Sequence, residues 1–230
     1  MKDLFLKNNI DIKDDLIEKF NLFYNIVISE NEKYNLTSIL GKEEFFYKHI
    51  LDSIYPCFLF KENSKICDIG AGAGFPSIPL SLFLPTSSFV LLDSINKKIK
   101  FLELCKKELN LKNIFPVHTR IEDHALKNRN TYDYVIGRGV APLNIFLEYS
   151  IPLIKPKGSV LAYKGKNFSE EYVLSKNAIE KLNCIFIKNI SYKYSIANEV
   201  YKRNIMLFTK NQSSNDFYPR KNNKPRTDPL

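Results

Sequence analysis

The chain has 230 residues and a mass of 26.8 kDa, with 44% hydrophobic and 26% charged residues. This excludes wholesale disorder and suits one generous domain or two small ones. Lysine plus arginine outnumber aspartate plus glutamate by 34 to 25, a net charge of +9. Such a charge favours a polyanionic partner, although abundant Lys, Asn, Ile, Phe and Tyr are also what an AT-rich genome produces. The four cysteines (57, 67, 105 and 184) lack paired spacing and there are three histidines. No disulfide framework or metal site is therefore expected. The opening residues are too broken by charge for a signal peptide. No run approaches the ~20 apolar residues of a membrane span, so no membrane association and a cytoplasmic chain are expected.

Residues 1–62 read as helical. Leu16, Phe20, Phe23 and Val27 share one helix face, with Asp14 and Asp15 at its start. A second helix carries Phe45, Phe46, His49 and Ile50 and stops or bends at Pro56. From residue 65 the pattern turns β. Strands are expected at 65–69, 89–92, 114–118, 132–136 and 159–164, with Pro116 marking the third as an edge strand. Helices fall between them at 78–84, 96–109 and 142–149, and another spans 169–183. Two closing strands, 185–190 and 205–209, leave little room for a helix and so pair antiparallel. Lys155-Pro-Lys-Gly158 reads as a turn. The alternation predicts an α/β domain with a mostly parallel sheet covered by helices on both faces. The last twenty residues lose periodicity and are rich in basic side chains.

The first strand ends in Gly70-Ala-Gly72-Ala-Gly74, where a doubly wound sheet places its ligand. Position 75 is Phe and no Gly-Lys-Ser/Thr follows, so neither a dinucleotide fingerprint nor a P-loop is complete. A nucleoside without a diphosphate fits better. Asp93, ending the second strand, either accepts both ribose hydroxyls or caps the helix that follows. Glu122 either bonds an adenine or is simply solvated. Asp68 braces the glycine loop or meets the ligand's charged end. The combination Asp68-Ile-Gly-Ala-Gly-Ala-Gly with an acid ending the next strand resembles the S-adenosylmethionine site of class I, Rossmann-like methyltransferases.

The whole chain resembles one family, ribosomal RNA small subunit methyltransferase G, formerly called glucose-inhibited division protein B. The likeness rests on Asn35-Leu-Thr37, His49-Ile-Leu-Asp52-Ser53 and Asp68 through Leu80. It continues in Leu92-Asp93-Ser94 with Lys97-Lys98, Arg120-Ile-Glu122, Arg138 through Leu143 and Lys164-Gly165. The tail adds Tyr218-Pro-Arg-Lys221, Pro225 and Pro229-Leu230. The resemblance implies a seven-stranded sheet and transfer of a methyl group from S-adenosylmethionine to guanine N7 in 16S ribosomal RNA, expected at nucleotide 527. It implies a cofactor site of Asp68, Gly70, Gly72, Gly74, Phe75 and Asp93, with Ile121 and Glu122 flanking the adenine. Arg138, the one candidate catalytic residue, would stand at the mouth shared by cofactor and substrate. Gly139, where alanine is common, and Lys157, where a second glycine is frequent, depart mildly from the family pattern.

Guanine N7 carries a lone pair and no proton, so its methylation calls for alignment rather than a general base. Arg138 is expected to donate to guanine O6, grip a phosphate, or form an ion pair with Glu122 or Asp68. Its removal is expected to lower turnover far more than stability. Ribosomal RNA, free or in the small subunit, would be held by Lys97, Lys98, Lys100, Lys164, Lys166, Arg220, Lys221, Lys224 and Arg226, with steep salt dependence. The expected organisation is a helical extension (1–62), a methyltransferase domain (63–210) and a basic tail (211–230) in a monomer. The competing readings are a methyltransferase of another RNA, a nicotinamide-dependent oxidoreductase and a non-enzymatic RNA-binding protein.

Overall fold

β1 (Lys65–Ile69) is buried along four of its five residues, the near-continuous burial that marks a strand at the centre of a parallel sheet. In the computed structural model, which describes residues 1–230, β1 pairs in parallel with β2 (Ser88–Asp93) on one side. On the other it pairs in parallel with β4 (Tyr132–Arg138). Outside these lie β3 (Ile114–His118) and β5 (Ile154–Lys164), and then the antiparallel hairpin β6 (Ile185–Ile196) and β7 (Glu199–Thr209). The seven-stranded order is β3-β2-β1-β4-β5-β7-β6. Strand order reverses between β1 and β4, so a crevice opens beyond their carboxyl ends. Pro116, which cannot donate to a ladder, sits on the edge strand β3.

Successive side chains on each strand feed opposite layers. Ile66, Leu91, Ile136 and Leu161 join a core with the N-terminal helices, α5 (Ser77–Phe83) and α6 (Asn96–Glu108). Cys67, Leu92, Val135 and Val160 join a second core under α8 (Leu143–Ser150) and α10 (Lys176–Lys181). The N-terminal layer consists of α1 (Lys2–Lys7), α2 (Asp14–Tyr34) and a helical run from Lys42 to Ile54. That run begins as α3 (Lys42–Phe45), loosens into a π-helix over Phe46–Leu51 and closes as α4 (Asp52–Ile54). Its fully buried Phe45 and Phe46 pack into α2 and α1, where Phe23 and Phe5 meet them edge-on. The α2 face is Ile17, Phe20, Phe23, Ile26 and Val27, so Leu16, expected on it, lies only at its margin.

Four details depart from the sequence expectation. α7 (Ile121–Lys127) occupies a segment too short to show helical periodicity, starting with Glu122 and Asp123 in its first turn. The 169–183 helix breaks at Ser175 into α9 (Phe168–Leu174) and α10. β5 starts at Ile154 and runs through the expected turn, absorbing it as an irregularity in which Lys157 takes φ +66°. The closing strands extend to a two-residue turn at Ala197-Asn198, both with positive φ, the geometry of a tight twisted hairpin. Tyr192, Tyr194 and Ile196 alternate inward along this extension; their tyrosines disguise a buried face.

The chain after β7 does not trail into solvent. Arg129 donates to the carbonyls of Ser214, Asn215 and Tyr218, and Asn144 donates to the carbonyl of Leu230. The segment is thereby strapped across α8, ending in the short helix α11 (Lys224–Thr227). Truncating Phe23, fully buried between Phe45 and Phe75, tests the union of helical layer and sheet. Phe23→Ala is expected to cost about 3–5 kcal/mol, read as a lowered midpoint in urea denaturation.

Candidate functional site

The glycine loop turns out of β1 directly into the crevice. Gly70 and Ala71 donate to the carbonyl of Leu92, stitching the loop to β2. Gly70 has φ +73°, and a Cβ there would press on Val140 at 3.2 Å. Gly74 has φ +86°, and a Cβ would lie 2.4 Å from Ile78. The third glycine thus lets α5 pack against the loop. Between them, the N–H of Gly72 donates to Asp93 Oδ2 at 3.0 Å, and Asp93 Oδ1 accepts from the N–H of Ile95 at 2.9 Å. Asp93 therefore caps the segment leading into α6, one of its two sequence readings, and also ties the glycine loop to β2, which the sequence did not suggest.

Two cavities adjoin at Gly139 and Val140, just beyond β4. The smaller, about 310 Å³, is lined by Gly70, Asp93, Ile121, Glu122, Tyr149 and the strap residues Asn223 and Arg226, among others. The larger, about 730 Å³, opens between the π-helical turn and the β5–β7 edge. Its charged lining is Lys48, Arg138, Lys164 and Arg203 against Asp52 and Glu171. The two cavities together bring Gly70, Asp93, Ile121, Glu122 and Arg138 to one crevice.

Phe75 behaves differently. Its ring lies in neither cavity lining; it is stacked on His49 at 4.2 Å and packed against Phe23 and Phe45. An expected cofactor contact is, in its side chain, the joint between the glycine loop and the N-terminal layer. Asp68 is fully buried and accepts from Ser77 Oγ, while its other oxygen has no partner. Burial pushes its pKa up to about 8, against the opposing pull of Ser77 and Arg138.

Arg138 forms neither ion pair expected for it. Its Nη1 donates to Asp52 Oδ2 and to the carbonyl of Lys48, both at 2.8 Å, and Nη2 donates to His49 Nδ1 at 2.9 Å. The π-helical turn brings all three acceptors onto the end of β4, where the planar fork of a guanidinium can meet them together. Because a guanidinium only donates, His49 Nδ1 must accept. The ring proton is then on Nε2 and donates to Thr37 Oγ1 at 2.8 Å. Burial, with Arg138 alongside, lowers the His49 pKa to about 3, so the ring stays neutral. Asp52 also lies 3.4 Å from Arg203 Nε and accepts from the Tyr192 hydroxyl. Asp52, Lys48 and Arg203 were not singled out as candidate site residues. The one available signal was Asp52 within the His49–Ser53 run, an acid in an otherwise apolar stretch.

The expected RNA contacts divide. Lys97, Lys100, Lys166, Lys221, Lys224 and Arg226 are exposed. Lys98 instead donates to the carbonyls of Tyr34 and Asn35, closing the end of α2. Lys164 is paired with Glu171 at 2.6 Å and the carbonyl of Ala141. Arg220 is buried against Glu148. These three are structural ties because each meets an unsatisfied carbonyl or buried carboxylate.

A sheet of this order, with a glycine loop at its switch point and an acid ending β2, defines the class I, Rossmann-like methyltransferase fold. Solved structures agree at the level of fold. M. jannaschii TYW2 in complex with AdoMet is 19% identical, with a TM-score of 0.55 over 75% of this chain and 79% of that one. A precorrin-6y C5,15-methyltransferase from Geobacter metallireducens is 14% identical, with a TM-score of 0.53 over 79% and 96%. The chain belongs to the rRNA small subunit methyltransferase G family, whose profile matches residues 16–205. Ribosomal RNA small subunit methyltransferase G of Desulfitobacterium hafniense is 42% identical over 96% of this chain and 92% of that protein. The protein of the same name from Lactococcus lactis subsp. cremoris is 37% identical over 96% and 94%. No helix is long and apolar enough to cross a membrane.

The buried charges set the pH response. Between about pH 4 and 8 the unfolded chain releases the Asp68 proton while the native state keeps it, so stability falls as pH rises through that window. Asp68→Asn removes this slope and is expected to be more stable than the parent, by a few kcal/mol at pH 8. Thermal melts at pH 5 and pH 8 read the widening gap. At acid pH the sign reverses for His49: below about 6.5 the unfolded chain takes a proton that the native ring refuses until about 3, so stability declines as pH falls. Asp52→Ala leaves Arg138 and Arg203 facing each other without their shared carboxylate. It is expected to cost about 3 kcal/mol, measured by urea unfolding.

Proposed function

We propose that the protein transfers the methyl group of S-adenosylmethionine to N7 of a guanine in 16S ribosomal RNA, expected at nucleotide 527, acting as a monomer in the cytoplasm. The observation that carries this reading is the junction of the two cavities at Gly139–Val140. One is small and sets Asp93 and Glu122 beside Arg120 and Arg226, and the other is wide, with four cations against two carboxylates. A nucleoside with a cationic arm suits the first, and a nucleotide on a polyanionic strand suits the second. The unpartnered oxygen of Asp68 beneath the loop fits a ligand that brings an amine donor, directly or through water.

In this reading residues 63–210 form the methyltransferase domain, residues 1–62 wall its substrate side, and residues 211–230 complete its cofactor side. Asp93 accepts from the ribose hydroxyls while keeping its hold on Gly72. Ile121 and Glu122 flank the adenine, Glu122 accepting from its amino group. Bound S-adenosylmethionine supplies a methyl group on a cationic sulfur. As the sulfur–carbon bond breaks and the N7–carbon bond forms, positive charge passes to the guanine and the sulfur becomes neutral. No proton leaves N7, so the neutral His49 and the tied-down Arg138 need not act as base or acid. Arg138 ties the end of β4 to the π-helical turn, and the surplus of cations lining the wide cavity attracts the RNA backbone.

Purified protein with labelled S-adenosylmethionine and small subunits lacking the modification is expected to place one methyl group per 16S chain. Borohydride and aniline treatment, which cleaves the chain at N7-methylguanosine, should then cut at that nucleotide. Label at another atom, or in another RNA, sinks the N7 assignment. Binding of NAD without S-adenosylmethionine would favour the oxidoreductase reading instead.

A further inference from the structure

The adenosine-sized cavity has a wall that no sequence motif announced. Its far side is formed by Asn223 and Arg226 of the C-terminal strap, more than eighty residues beyond Val140, whose carbonyl accepts from Arg226 Nη2 at 3.1 Å. Four anchors hold that wall in place. Glu148, fully buried in α8, takes three hydrogen bonds from Arg220: from its backbone N–H, Nε and Nη2, at 2.8–2.9 Å. Arg220 in turn donates to the carbonyl of Asp228 at 2.7 Å, which bends the strap back on itself around α11. Pro225, at the start of α11, is buried, and the final carbonyl is held by Asn144. A buried carboxylate is costly without its partner, so the strap is bound to the fold and not merely laid upon it.

Asp93 and Glu122 are acceptors, suited to ribose hydroxyls and an exocyclic amine, and a purine also carries ring-nitrogen acceptors that need donors. The lining supplies donors from Thr119 and Arg120 at the β3–α7 end and from Asn223 and Arg226 of the strap. Arg226 uses one N–H on Val140, and the residue is part of the cavity lining. A guanidinium of this kind both stacks on an aromatic ring and donates to its edge. Asn223, held at φ +58°, adds an amide that both donates and accepts.

We infer that the C-terminal strap is part of the cofactor site: Arg226 and Asn223 are purine-binding residues that close the adenosine subsite over the base. The inference rests on the S-adenosylmethionine reading of that cavity. It assigns the tail a role in holding the methyl donor, whereas the sequence suggested RNA alone.

Calorimetry of S-adenosylhomocysteine and of adenosine separates the possibilities, with melting of the free protein recorded alongside. Arg226→Ala is expected to weaken both ligands roughly tenfold, the scale of one well-placed polar or stacking contact. Asn223→Ala should weaken them less, and Lys224→Ala, on the same short helix but outside the cavity lining, should leave them unchanged. Unaltered affinity in Arg226→Ala, whatever its melting temperature, overturns the inference. So does an equal loss in Lys224→Ala, which would mean only that the strap had loosened. Failure of the parent protein to bind either ligand would instead overturn the cofactor reading itself.

Discussion

The carboxylate of Asp52 and the guanidinium of Arg138, 2.8 Å apart, hold together two parts of the molecule that have no covalent reason to meet. One comes from the N-terminal helical layer and the other from the end of β4, at the point where the sheet reverses order. Around this pair gather Lys48, His49, Tyr192 and Arg203, so helix, central strand and terminal hairpin all converge on one buried charge. The crevice exists because of that convergence. Without the N-terminal layer the glycine loop would have no partner for Phe75, and the wide basic cavity would lack one wall. Buried ion pairs add little net stability over an apolar substitute, but they tolerate no missing partner. This suits a contact whose use is to fix relative position.

The aromatic seam behind the pair does the complementary task. Phe75 occupies the position where a dinucleotide fingerprint would place its last glycine, and its ring is clasped by Phe23, Phe45 and His49. The loop is thus shaped by glycines on its ligand side and by a phenylalanine on its core side. A diphosphate needs close backbone approach along the whole loop; here part of that length is given to packing. The neutral state of His49 follows from the same crowding, since burial and the charge of Arg138 beside it both disfavour a protonated ring.

Much of this was visible in the residues alone, and the boundary is instructive. The positions of the strands, the edge position of β3 and the antiparallel closing pair follow from hydrophobic runs, Pro116 and short spacings, all local signals. Asp93 and the glycine loop were legible because their chemistry is confined to a few consecutive positions. What stayed hidden is contact across long separations. Nothing near Arg138 in the chain points to Asp52, so its expected partners, Glu122 and Asp68, were the acids closest to the imagined ligand. Lys98, Lys164 and Arg220 looked like a solvated basic surface because a lysine that closes a helix end and one that awaits a phosphate have the same sequence. Their partners in the fold distinguish them. Tyr192 and Tyr194 hid an inward face of the hairpin for the related reason that tyrosine serves equally in cores and at surfaces.

The charge balance takes a different meaning once these ties are subtracted. A net charge of +9 suggests a uniformly basic protein, yet several cations are internal: Arg220 on Glu148, Lys164 on Glu171, Arg138 on Asp52 and Lys210 among carbonyl and hydroxyl oxygens. Burial lowers the pKa of this last amine to about 8, a sign of how far it is withdrawn from water. The cations left exposed near the crevice are fewer, and they border a cavity whose own lining already favours an anion. Affinity for a polyanion is set by the positive groups that reach its phosphates, not by the total carried in the chain. On the function proposed above, the cations that count are those placed around the mouth between β4 and the π-helical turn, while Arg138, Lys164 and Arg220 tie together the walls beside it.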